Sequence, residues 1–167
     1  MTLNSPFADL LEANQAYAEA HGTSHFDGIA HAGVAMVTCM DSRIEPLKMI
    51  GLNLGDAKIL RNPGGRVTDA TLVALVLSVS LLNVNRILLV QHTRCAMASS
   101  TEDEMHEKLS DFSGTDTTWM SLGTITDQEK TLRADIHRVT SHPLIPDTIE
   151  VGAFLYNVDT GILNPVI

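Results

Sequence analysis

The sequence predicts an α/β protein with a mainly parallel central sheet flanked by helices and an N-terminal helical arm. Three observations carry that expectation. Apolar runs at residues 34–38, 57–61 and 86–91 are short and rich in Val, Ile and Leu, as strands buried on both faces of a parallel sheet are. Helical segments lie between these runs, and strands that alternate with helices build crossovers onto one sheet. At 167 residues with 44% apolar content, the chain is long enough for one domain, residues 1–167, with a core of its own.

Near the N-terminus, Ser5 and Pro6 precede Phe7, Leu10, Leu11, Asn14, Tyr17 and Ala18. The spacing predicts a helix with Ser5 as N-cap, Pro6 at its first position and Gly22 at its end. A loop rich in His and Gly, residues 21–33, separates this helix from the rest. Its apolar face therefore suits either this core or a second subunit, and residues 1–30 form the arm. The run 34–38 is a buried strand with Cys39 at its C-terminal end. A short helix over 45–50 stops at Gly51, and the strand 57–61 runs into the sharp turn Asn62-Pro63-Gly64-Gly65.

Thr68 and Asp69 cap a helix running to Leu82, which is apolar almost all round and so packs against a sheet or an interface. The strand 86–91 leads to His92. A turn or helix start then carries Arg94, Cys95 and Met97, and acidic helical sequence continues to about Phe112. The polar loop 113–124 holds the single tryptophan, Trp119. A helix over 127–140 is broken by Pro143 and Pro146. A last strand over 149–158 follows, and Asp159-Thr160-Gly161 turns into a short tail.

With 20 acidic and 11 basic residues the formal charge is -9, which repels phosphate backbones and anionic membranes and disfavours a nucleic-acid partner. The longest apolar stretch, residues 72–82, is interrupted by Ser78 and Ser80 and falls far short of the roughly 20 residues of a membrane span. No secretory signal is visible. The expectation is a cytoplasmic protein without a membrane partner, in which two cysteines serve as thiols or metal ligands rather than as a disulfide.

Those two cysteines, Cys39 and Cys95, are the only ones in the chain. Together with His92 they make the soft-to-borderline donor set that Zn2+ prefers, and three protein ligands leave a fourth tetrahedral position for water or substrate. Two thiolates cancel the charge of the ion and weaken it as a Lewis acid, so a second group should assist. Asp41 is placed to accept a hydrogen bond from the bound water, and Arg43 to hold that carboxylate ionised through a fork-like pair. In parallel sheets ligands collect where the winding direction reverses. If the first and third strands are neighbours there, Cys39, His92 and Cys95 converge.

Cys39-x-Asp41-x-Arg43 with His92-x-x-Cys95 resembles the beta-class carbonic anhydrases. Arg61-Asn62-Pro63-Gly64-Gly65 is similar to that family's Arg-Asn-Ala-Gly turn, and the ending from His142 to Pro146, with Val151-Gly152 and Asp159-Thr160-Gly161, also resembles the family. The resemblance implies Cys39, His92 and Cys95 as zinc ligands and Asp41 and Arg43 as the catalytic pair. It further implies that Asp41 can swing onto the zinc, and that the protein is a homodimer or tetramer whose N-terminal helix embraces a partner subunit. The implied activity is that of a zinc-hydroxide enzyme on a small linear substrate. It either hydrates carbon dioxide to bicarbonate or hydrolyses carbonyl sulfide to carbon dioxide and hydrogen sulfide. The alternative is a non-catalytic zinc-binding or thiol-redox module on the same fold. Three departures bear on the substrate: Arg94 and Ala96 stand where the family commonly has Asp and Gly, and Pro63 where it has Ala.

Overall fold

A computed structural model describes residues 6–21 and 27–166. Five strands form one sheet in the order β2-β1-β3-β4-β5, where β1 is Val34–Cys39, β2 Ala57–Asn62, β3 Arg86–His92, β4 Glu150–Tyr156 and β5 Leu163–Pro165. The first four are mutually parallel, and β5 runs antiparallel to β4. All six residues of β1 are buried, as expected of a central strand covered on both faces.

The core alternates along the strands. Ala35, Val37, Ile87, Leu89 and Ala153 share a buried cluster with Leu75, Leu132 and Val139, contributed by α3 (Asp69–Leu81) and α5 (Gln128–Thr140). Helix α3 carries the chain from β2 across β1 to β3, starting at Thr68, whose side chain accepts from Thr71 N. One stripe of α3 is buried, while Val73, Leu77 and Leu81 are exposed, so its all-round apolarity divides between core and surface. The remaining helices are α1 (Ala8–His21), the single turn α2 (Pro46–Met49) and α4 (Glu102–Ser113).

Several sequence expectations shift. Pro6 precedes the first helix rather than opening it: α1 begins at Ala8, and Leu11 N donates to Phe7 O at 3.0 Å. The expected cap Ser5 and terminator Gly22 lie outside the described residues. Helix α1 buries none of its side chains, so it does not dock on this core. The acidic segment does not run on from Cys95. A 3-10 turn, Ala96–Ala98, is followed by α4, which has its own start at Thr101, a reciprocal capping box with Glu104. The expected tail contains β5, whose three residues were too few to show an alternating pattern.

The turn after β2 lies directly on the strand ends. Gly65 has φ +64, and a Cβ there would stand 2.8 Å from Val90 O and 3.0 Å from Cys39 N. Only a residue without a side chain admits this approach. We expect Gly65→Ala to cost roughly 1–3 kcal/mol of stability, read as a lower urea midpoint at unchanged slope.

Candidate metal centre

Strand order places the site. From β1 the chain winds outward to β2, and from β3 it winds the other way to β4, so the crevice at the C-terminal ends of β1 and β3 is the switch point. Cys39 closes β1, His92 closes β3, and Cys95 follows three residues later. Their ligand atoms lie within 4.8 Å of one another, and all three residues are buried. Ile44 is buried with the cysteines, and Met49, Met97, Ala98 and Tyr156 pack against them.

The imidazole is oriented by the backbone. His92 Nδ1 lies 2.9 Å from Thr93 O, so Nδ1 carries the proton as donor and Nε2 presents its lone pair. Nε2 is fully buried and has no hydrogen-bond partner, an arrangement that would be costly unless the atom meets something else. Beside it the two sulfurs are 4.0 Å apart, close to the roughly 3.8 Å that tetrahedral zinc–sulfur bonds of about 2.3 Å require. The hydrogen bond between them lowers Cys39 far below an ordinary thiol and raises Cys95. Backbone N–H groups of Asp41 and Gly64 also lower Cys39, and those of Met97 and Ala98 oppose the rise at Cys95. Burial opposes charge on His92, but the neighbouring Cys39 outweighs it and raises that imidazole. Thiol, imidazole and backbone dipoles thus fit a soft divalent cation.

Asp41 stands next to this trio. Its Oδ2 is 3.8 Å from His92 Nε2, and Arg43 grips it in a fork, Nε to Oδ1 at 2.9 Å and Nη2 to Oδ2 at 2.7 Å. Arg43 N also donates to Oδ1 at 3.0 Å, closing an Asx turn. The guanidinium bond, with the backbone bond and the fields of His92 and Arg43, holds the carboxyl well below the usual carboxylate range. The stabilisation this pairing gives is present at neutral pH and is lost only as strong acid protonates Asp41.

All five residues singled out in the sequence are therefore brought together. Arg94 is not directed at the metal crevice: its guanidinium pairs with Asp159, and both side chains are largely exposed. Ala96 lines a cavity of about 240 Å³ that opens on Cys39, Asp41 and Cys95, walled also by Met40, Pro63 and Met97. The glycine turn takes part through its backbone, as the Gly64 N–H facing Cys39 indicates.

Two supports carried no local sequence signal of this role. Arg61 donates to three carbonyls of the ligand loop, Cys39 O at 2.9 Å, Asp41 O at 2.6 Å and Ile44 O at 3.3 Å. Arg66, which follows the glycines, forks onto buried Asp135 at 2.8 and 3.2 Å. Their partners lie 17–22 and 69 residues away, beyond any spacing rule.

The carbonic anhydrase family model matches residues 34–163. Beta-carbonic anhydrase 1 of Mycobacterium tuberculosis is 33% identical over 133 residues, spanning 80% of this chain and 81% of that protein. A carbon disulfide hydrolase of Acidithiobacillus thiooxidans is 29% identical over 157 residues, spanning 80% and 72%. Among solved structures, a carbonic anhydrase from Streptococcus mutans superposes with a TM-score of 0.91 at 40% identity, covering 99% of this chain and 100% of that one.

Because a lysine cannot fork across three carbonyls, Arg61→Lys should loosen the loop 39–44. A thermal melt should fall by several degrees, the size expected for roughly 1–2 kcal/mol.

Proposed function

This chain belongs to the beta-carbonic anhydrase family of zinc-dependent lyases and hydrolases, and from that premise we propose that it hydrates carbon dioxide to bicarbonate. Cys39, His92 and Cys95 hold the zinc, and Asp41 and Arg43 are the catalytic pair. The observation that carries this reading is the orphaned, buried His92 Nε2 set beside two sulfurs and 3.8 Å from a carboxylate already fixed by an arginine.

When bound, zinc supplies the Lewis acidity that brings the ionisation of water toward neutral pH. The chain's own residues do the rest. Thr93 O fixes the His92 tautomer, so Nε2 is always the donor atom. Asp41 Oδ2 accepts a hydrogen bond from the attacking water and turns its lone pair toward the substrate. Arg43 keeps that carboxylate ionised and prevents its rotation. Met40, Pro63, Ala96 and Met97 give the cavity a mostly apolar lining that suits an apolar, linear molecule.

The same walls favour a second reading, hydrolysis of carbonyl sulfide. Two methionine thioethers in a small apolar cavity offer polarisable contact to a sulfur-bearing substrate, and a relative bears the name carbon disulfide hydrolase. Stopped-flow hydration of carbon dioxide, set beside sulfide release from carbonyl sulfide, separates the two readings by which turnover is faster. Negligible turnover of both would leave the rival, a zinc-binding or thiol-redox module.

The reading extends to assembly and layout. Residues 1–167 form one domain, and the arm at 1–30 packs on a second copy in a homodimer or tetramer. The exposure of Phe7, Leu10, Leu11 and Tyr17 on and beside α1 supports this. Among the described residues no helix is long and apolar enough to cross a membrane, and we place the protein in the cytoplasm.

Cys39→Ser should reduce bound zinc in elemental analysis to well under half of the wild-type amount and abolish turnover. Asp41→Asn should keep the metal and lower kcat about a hundredfold. Since the Asp41 carboxyl is depressed, the wild-type pH–rate profile should show no carboxylate limb in the usual Asp range of about pH 4. A limb near the usual Asp range would contradict the role given to Arg43.

A further inference from the structure

We propose that Arg94 is a positioning residue: by pairing with Asp159 it neutralises the carboxylate that would otherwise draw the Arg43 guanidinium away from Asp41. Arg94 lies between the ligands His92 and Cys95 in the left-handed region, with φ 55, which few residues other than glycine and asparagine adopt readily. Two consequences follow from that backbone. Its carbonyl turns toward Arg43, whose Nη2 donates to Arg94 O at 3.2 Å as well as to Asp41. Its side chain is sent the other way, onto Asp159.

The two segments involved are tied together. Thr93 N donates to Tyr156 O at 2.9 Å, and Val158 N donates to Thr93 Oγ1 at 3.2 Å, so Asp159 cannot drift from the end of β3. Arg94 touches both groups, Arg43 through its carbonyl and Asp159 through its guanidinium, which sets the Asp159 carboxylate within the electrostatic reach of Arg43. Arg43 is itself partly exposed and retains the rotamer freedom to change carboxylates. An exposed ion pair such as Arg94 with Asp159 adds little to stability. Its consequence is electrostatic: with Arg94 present Asp159 is already matched, and Asp41 is the carboxylate left for Arg43. In this chain a basic residue at position 94 and an acidic one at 159 act as a unit.

The inference rests on the catalytic reading of Asp41 and Arg43, and its test separates the two. Arg94→Asn keeps a residue that tolerates the left-handed backbone while removing the charge. We expect it to lower kcat for carbon dioxide about tenfold with KM little changed, and Arg94→Lys to retain most of the rate. Adding Asp159→Asn to Arg94→Asn should restore kcat to within about twofold of wild type, because the competing charge is gone. Crystal structures of the variants give a readout independent of turnover. Arg43 should face Asp159 in Arg94→Asn and return to the Asp41 fork in the double variant. An intact fork with full activity in Arg94→Asn overturns the proposal, as does a double variant no better than the single one. A broken fork with full activity instead supports the positioning and overturns the catalytic reading.

Discussion

The reversal of winding between β1 and β3 is the constraint on which the rest of the structure depends. Two parallel strands whose onward connections leave in opposite directions cannot both be capped by a following helix, so a crevice stays open at their carboxyl ends. Into that crevice fall the last residues of each strand, Cys39 and His92. The turn after β2 must also cross it, and so Gly65 rests on the backbone of both strands. Bulk at that point would displace the strand end that carries Cys39.

Polar order within an apolar shell is the second theme. Methionines, Ile44 and Tyr156 surround the cysteines, so every polar atom in the crevice needs a definite partner. His92 Nδ1 takes a carbonyl, Asp41 takes a guanidinium, and Arg61 gathers the carbonyls of the loop. Nε2 of His92 lies beside the sulfurs without a hydrogen-bond partner. The layer around the crevice is thus built mostly from arginines and backbone, and among the described residues side-chain charges meet there at Asp41, Asp135 and Asp159.

Much of this was legible in the sequence. Strands β1 and β3 read clearly because burial on both faces writes an unbroken apolar run, and Thr68 read clearly because a cap is a local device. The trio Cys39, His92 and Cys95, grouped as a metal site would require, stood out through the scarcity of cysteine and the spacing His92-x-x-Cys95. What stayed hidden was non-local. Arg61 reads only as the opening of a family-like turn, and Arg66 as an ordinary surface arginine, until the fold brings carbonyls and Asp135 to them. The direction of the Arg94 side chain depends on a positive φ that no residue pattern announced, and the fate of α1 depends on surfaces the single chain does not contain.

The sulfurs of Cys39 and Cys95 belong to residues 56 apart in the chain, on segments that enter and leave the sheet separately. An ion held by both is a cross-link as well as a reagent. It shrinks the ensemble open to the unfolded chain, by an entropy that grows with the logarithm of the loop it closes. Metal affinity and folding free energy are then one quantity seen from two sides. Because the thiols must shed their protons to bind, acidification and chelation pull on the same thermodynamic linkage.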